Sequence, residues 1–236
     1  MSRAPLFLSL LAPVLLGQSP ARTRYIPALA YGPNLWSIVR LTNSSAAPQT
    51  ARVEVYRENG TALPMEPMYD IQPGATLDVR IDGKTGEAEM AWARVVLPDG
   101  VQARGFLEIL EGNALEDFPR EPHQVSDLAR WVTLSDKVQG KQMYFLNVAD
   151  VPTVVAFCAV KQAPPDACEK KGTPRARFRV GPNQSISVQI RKLRGKFFVA
   201  ESSAPGAAVL VLFDDGPGIK KTFASKSSID FGDALP

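Results

Sequence analysis

The sequence predicts an all-β chain made of two tandem antiparallel β-sandwich domains behind a signal peptide. Three observations carry that reading. Apolar and polar residues alternate with a period of two along most of the chain, as in strands with one buried face, and the helical period is nearly absent. Gly 17 and Pro 20 in 236 residues supply enough chain breakers for many short strands joined by tight turns. The pattern of the first half also returns in the second: IQPGATLDVRI, from Ile71 to Ile81, is echoed by VGPNQSISVQI, from Val180 to Ile190.

In chain order, the opening MSRAPLFLSLLAPVLLGQSPA has a basic start at Arg3, an apolar run from Leu6 to Gly17, and small residues at Ser19 and Ala21. This reads as a secretory signal peptide, residues 1–21, cleaved after Ala21, since a cut after Ser19 would leave Pro20 next to the scissile bond. The run is interrupted by Pro13 and falls short of the roughly 20 apolar residues that span a bilayer. No later segment is long or apolar enough to span one. The expected location is secreted, periplasmic or at the cell surface.

The first domain is expected over 22–118. YIPALAYGPNLWSIVRLTN opens it as strand, turn and strand ending at Asn43, followed by ARVEVYRENG from Ala51. Leu77, Val79 and Ile81 then alternate with Asp78 and Arg80, after a turn at Pro73-Gly74. MAWARVVLPDGVQARGFLEIL reads as a hairpin turning at Pro98-Asp99-Gly100. A linker rich in Pro and charge covers 119–127, with room for a helical turn after Ser126.

The second domain, 128–223, repeats the order. WVTLSDKVQGKQMYFLN matches the opening, with Trp131 the counterpart of Tyr25, and VVAFCAVKQ from Val154 matches ARVEVYRENG. KFFVAESSAPGAAVLVLF matches the final hairpin, turning at Pro205-Gly206. The offset is 104 between Asn43 and Asn147 and 109 between Pro73 and Pro182, a difference taken up mostly by CAVKQAPPDACEKKG. Residues 224–236 offer little to pack and read as a flexible tail. Cys158 and Cys168, the two cysteines, read as a disulfide clipping this local loop, worth roughly 3 kcal/mol in the chain-entropy picture.

The order of these motifs resembles the immunoglobulin-like β-sandwich modules found in tandem in bacterial secreted and cell-surface proteins. The residues that carry the resemblance are Leu41-Thr42-Asn43-Ser44-Ser45, Val53-Glu54-Val55-Tyr56, Gly60, Ile71-Gln72-Pro73-Gly74 and Trp92-Ala93-Arg94-Val95. The second copy lacks the Asn-Gly turn and the Ala-Arg-Val. The resemblance implies adhesion, scaffolding or ligand binding more often than catalysis, and no functional residue carries over from it.

Chemistry-bearing motifs are few. His123 stands alone in the linker, so a Ser-His-Asp or Cys-His site is not expected, and two thiols with one imidazole do not make a recognised metal site. Asp214-Asp215-Gly216 lacks the spacing of a calcium loop. No catalytic residue, metal or cofactor is expected. Trp36, Trp92 and Trp131 could stack on sugars, but core or inter-domain packing is the preferred role.

Charge is more informative. Residues 24–118 hold 8 Lys+Arg against 13 Asp+Glu, a net of −5, whereas 128–223 hold 15 against 7, a net of +8. The basic residues cluster as Lys170, Lys171, Arg175, Arg177 and Arg179, and then as Arg191, Lys192, Arg194 and Lys196. Arg175, Arg177 and Arg179 share one solvent-facing side by their spacing, and the second group joins them if the two strands are sheet neighbours. The expected function is therefore an exported non-catalytic structural, adhesive or assembly protein, partnered by itself or by another surface protein. The alternative is a binding module whose basic face takes an acidic polysaccharide, lipopolysaccharide or nucleic acid. A secreted hydrolase with carboxylates in a sandwich cleft ranks last.

Overall fold

The computed structural model describes residues 21–83, 86–111, 114–120, 131–135, 142–160, 176–191, 197–202, 208–213 and 228–230. These are all-β, with no helix among them. The first half holds β1 (Arg22–Tyr31), β2 (Leu35–Asn43), β3 (Gln49–Arg57), β4 (Met68–Ile71), β5 (Thr76–Ile81), β6 (Glu89–Leu97), β7 (Val101–Glu111) and β8 (Ala114–Arg120). The second holds β9 (Trp131–Ser135), β10 (Gln142–Asn147), β11 (Thr153–Val160), β12 (Ala176–Val180), β13 (Ser185–Arg191), β14 (Phe197–Ser202), β15 (Ala208–Phe213) and β16 (Ser228–Asp230).

Strand order shows the internal repeat directly. The first half forms sheets β1-β6-β3-β4 and β5-β2-β7-β8, and the second forms β9-β14-β11-β12 and β16-β13-β10-β15. Seven strands of each half thus occupy the same places. The eighth differs: β8 extends the sheet beyond β7, whereas β16 pairs in parallel with β13 at the opposite edge. The ladders carry the same offsets as the sequence. Thr42 faces Thr76 as Leu146 faces Ser185, and Thr50 faces Asp70 as Val154 faces Arg179.

Alternation becomes burial in the first half. Val39 and Leu41 of β2, Val53 and Val55 of β3, Val79 and Ile81 of β5, and Ala91, Ala93 and Val95 of β6 meet in one apolar core. Because β2 and β5 belong to one sheet and β3 and β6 to the other, this core is the filling of a two-layer β-sandwich.

Several sequence expectations are corrected. The segment around Pro98-Asp99-Gly100 is not a hairpin: β6 and β7 lie in different sheets, so this turn carries the chain across the sandwich. Strands β14 and β15 likewise lie in different sheets, and Pro205-Gly206 between them falls outside the described residues. Period-two alternation marks strands without naming their partners, and a short turn serves either connection. By ladder register Ala51 corresponds to Val155, one residue later than expected, and Trp131 corresponds to Thr23, since Thr23 faces Val96 as Trp131 faces Glu201. Strand β8 runs through Pro119 and Arg120, assigned above to the linker, and β16 lies within the expected tail. Residues 1–20, 121–130 with His123, and 161–175 with Cys168 lie outside the described residues, as do Asp214 and Asp215. The expected leader, helical turn and disulfide fall wholly or partly on these segments.

The turns reproduce each other closely. Ala75 N–H donates to the Gln72 carbonyl (3.0 Å), and Gln184 N–H to that of Gly181 (3.1 Å). Pro73 and Pro182 stand at the second position, followed by a left-handed residue, Gly74 at φ 69° or Asn183 at φ 54°, as a type II turn requires.

Both turns are clamped by a buried asparagine at the end of the preceding sheet strand. Asn43 Nδ2 donates to the carbonyls of Ala47 (2.9 Å) and Ile71 (3.0 Å), and its Oδ1 accepts from Ser45 N–H (2.9 Å). Asn147 Nδ2 donates to those of Val151 (2.8 Å) and Val180 (3.1 Å), and its Oδ1 accepts from Ala149 N–H (3.0 Å). Each amide ties the end of one sheet to β4 or β12 of the other. Replacing either asparagine by alanine strands buried backbone groups, so Asn43→Ala and Asn147→Ala are each expected to lower stability by about 1–3 kcal/mol in urea unfolding. A loss within about 0.5 kcal/mol, typical of surface substitutions, contradicts the clamp.

Candidate interaction surface

The outer faces of the sheets, where the two halves differ, form the candidate site. On β6, Ala91, Ala93 and Val95 enter the sandwich core, which sends Trp92 and Arg94 to the opposite face. Trp92 is nonetheless fully buried there, stacked on Tyr56 with ring centroids 4.4 Å apart and packed against Tyr25. What covers it is the second half. Tyr144 and Leu146 of β10 join Tyr25, Ala28, Tyr56 and Trp92 in a second apolar cluster.

The seam is closed by polar contacts as specific as its packing. The Trp92 indole N–H donates to the Asn183 carbonyl across the seam (3.1 Å). Tyr144 Oη lies 3.1 Å from the Ala91 carbonyl oxygen and 2.6 Å from Ser185 Oγ. A carbonyl only accepts, so the single phenol proton goes to Ala91 and the Ser185 hydroxyl donates back. Burial pushes the Tyr144 phenol far above its ordinary range, which keeps it protonated as this arrangement needs.

Beside it, the Glu58-Asn59-Gly60 turn meets the Gly181-Pro182-Asn183-Gln184 turn. Ser185 N–H donates to the Glu58 carbonyl (2.9 Å), and Gln184 Nε2 to that of Asn59 (3.2 Å). Gly60 has φ 83°, and a Cβ there would stand 3.0 Å from the Pro182 carbonyl oxygen, so the absence of a side chain serves both conformation and contact.

The rim of the seam is charged. Arg94 donates through Nε to Glu54 (2.6 Å) and through Nη2 to the Tyr56 hydroxyl (2.8 Å), its guanidinium lying over the Tyr56 ring. Burial alone would raise the Glu54 carboxyl, but the hydrogen bond and charge of Arg94, with Arg52, hold it below its ordinary range. The pair orders the edge of the aromatic stack.

Each sequence-proposed residue can now be placed. Arg177 and Arg179 lie on β12, exposed on either side of half-buried Phe178. Arg191 ends β13, which belongs to the other sheet, so the sheet-neighbour condition for joining the two basic groups is not met. Lys170, Lys171, Arg175, Lys192, Arg194 and Lys196 lie outside the described residues, and among the described residues no cluster could hold a metal. Cys158 falls on β11, opposite Val199.

Trp92 takes the packing role expected for it. Trp36 is engaged as well: its N–H donates to Glu108, and the Arg80 guanidinium lies 4.3 Å from its ring centroid. Nearby, Arg40 grips Asp78 through two bonds of 2.8 Å and covers Phe106. The Trp36 indole N–H and one face of its ring are thus engaged within the first half.

Sequence reasoning missed Tyr144, Leu146, Ser185 and Asn183. A signal for two of them existed. Tyr144 and Leu146 replace Arg40 and Thr42 of the first half, residues at a solvent-facing sheet surface. A larger apolar side chain in place of a polar one at a repeat-equivalent outer position marks a face that has become buried.

Truncating the anchor, Trp92→Ala, is expected to cost about 3–5 kcal/mol, and Tyr144→Phe about 1–3 kcal/mol through the unpaired Ala91 carbonyl. Guanidinium unfolding gives both values, and small-angle scattering should show the halves separating in Trp92→Ala. Unchanged stability and dimensions in both variants would refute the seam. No protein-family model, curated protein or solved structure matches this chain.

Proposed function

We propose that the chain is an exported, non-catalytic structural or assembly protein of the cell surface or periplasm, built from two immunoglobulin-like domains held as one unit. The observation that carries this reading is the buried seam. An aromatic contact sealed by hydrogen bonds fixes one domain against the other, so the remaining sheet faces and edges are offered to partners in a constant geometry, which suits a building block. The pairing of β2 with β5 and of β3 with β6 supports the immunoglobulin-like assignment, since these match the B–E and C–F neighbours of that sandwich. The outer strands depart from it: β1 lies beside β6 and β7 beside β2, the reverse of the usual placing of first and last strands.

The hydrolase reading has less support. Where the two halves face each other, the space is filled by Tyr25, Tyr56, Trp92, Tyr144 and Leu146, and Glu54 at its rim is held ionised by arginine, which suits no general acid. The anionic-ligand reading keeps one favouring observation, the exposure of Arg177 and Arg179 on the same side of a strand that ends its sheet.

Expressed with its N-terminal segment in bacteria, the protein is expected to lose residues 1–21, start at Arg22 by mass spectrometry, and enter crosslinked assemblies in the surface or periplasmic fraction. Retention of the leader in the cytosol, or a chain that never crosslinks beyond a single copy, overturns the proposal. For the rival, heparin retention that falls steeply with salt and is lost in Arg175→Ala/Arg177→Ala/Arg179→Ala would transfer the assignment to anion binding; retention unaffected by these changes removes it.

A further inference from the structure

Strands β4 and β12 hold equivalent places, each pairing with one neighbour and ending its sheet among the described residues. With the offset of 109, Glu66, Met68 and Asp70 correspond to Arg175, Arg177 and Arg179. In the first half, Glu66, Met68 and Asp70 are all exposed and alternate with half-buried Pro67 and Tyr69, so both acids share the outward side. In the second half Arg177 and Arg179 take that side. The repeat turns both acids of this edge into arginines, Glu66 into Arg175 and Asp70 into Arg179, and neutral Met68 into Arg177.

Each edge also carries apolar surface. Met68 is 49% exposed in the middle of the acidic strand. Beside the basic strand, Val154 faces Arg179 and is 38% exposed, and Val151 is 56% exposed. The acids are held at the strand: Asp70 accepts from the Thr50 hydroxyl (2.6 Å), and Glu66 accepts from Met68 N–H (3.2 Å), a bond that an added strand would displace.

A terminal strand offers backbone donors and acceptors to a further strand, and side-chain charge decides which strand may add. Two acidic edges repel each other, as do two basic ones, whereas an acidic edge beside a basic edge is attracted.

We propose that β12 of one copy receives β4 of a second copy, extending the β12-β11-β14-β9 sheet across the molecular boundary. An antiparallel register centred on Met68 opposite Arg177 puts Glu66 across from Arg179. Because donor and acceptor edges belong to different halves, the contact is head-to-tail, and each added copy presents the same pair of edges again. The proposal rests on the assembly reading above and names its contact.

The test uses the mature chain with residues 22–236 in sedimentation velocity over a range of protein and salt concentrations. Wild type is expected to gain mass with protein concentration and lose it with salt. Glu66→Lys/Asp70→Lys has two basic edges and Arg177→Glu/Arg179→Glu two acidic ones, so each alone should remain a single chain. An equimolar mixture of the two should associate again, which misfolded variants could not do. If wild type and both variants associate alike, the edge contact is overturned while the assembly reading stands. If wild type remains a single chain throughout, self-association through these edges is overturned, and crosslinking in cells decides separately whether another protein is the partner. Loss of association in both variants without recovery in the mixture also overturns the proposed pairing.

Discussion

Two buried asparagines hold the geometry on which everything else in this molecule depends. At the end of β2 or β10 the chain must leave one sheet, turn, and enter the other, and the turn's carbonyls would otherwise be buried without donors. Asn43 and Asn147 supply the donors from a side chain, binding the loop that follows them and the end of β4 or β12 in the opposite sheet. A buried amide is costly unless its groups are paired, and paired it tolerates little displacement. That the same bonds recur in both halves, with the type II turn attached, explains how sequences so different build the same strand order.

Once the frame is repeated, differences between the halves become readable. Alanines and valines inside the first sandwich only fill it. On the outside, positions that are Arg40 and Thr42 become Tyr144 and Leu146, and the face that was hydrated is now pressed against Trp92 and Tyr56. The turn Gly181-Pro182-Asn183-Gln184 keeps its conformation but gains neighbours, for its carbonyls and amide meet the indole of Trp92 and the Glu58-Asn59-Gly60 turn. One backbone motif thus serves as an ordinary exposed turn in one copy and as half of an internal interface in the other. The Asn-Gly turn missing from the second half is the one that meets this partner in the first.

The same comparison separates two uses of arginine. Arg40, Arg80 and Arg94 are spent inside the first half, lying over Phe106, Trp36 and Tyr56 and pairing with Asp78, Asp82 and Glu54. They order a surface without making it cationic. Arg177 and Arg179 instead occupy an edge whose equivalent in the first half is acidic, and this contrast, rather than net charge, distinguishes the two halves.

By itself the sequence determined most of the strands, the turns, the repeat and several inward faces, because period-two alternation, Pro and Gly at turn positions, and equal spacing are local properties. It did not determine the inward face of the Trp92 strand, nor strands β8 and β16. Ile71, Val79, Ile81 and Val180 are buried as their alternation requires. Tertiary structure decided which strands pair and what the outer faces meet. The Pro-Asp-Gly segment suits a hairpin as well as a crossing between sheets, and only competition among partners for β6 sends β7 to the other layer. Trp92 could be assigned to packing from its surroundings in sequence, but its partners Tyr144 and Asn183 lie far along the chain. Strand alternation encodes two faces; whether the second face meets water or protein depends on contacts between residues distant in sequence, which no local pattern records.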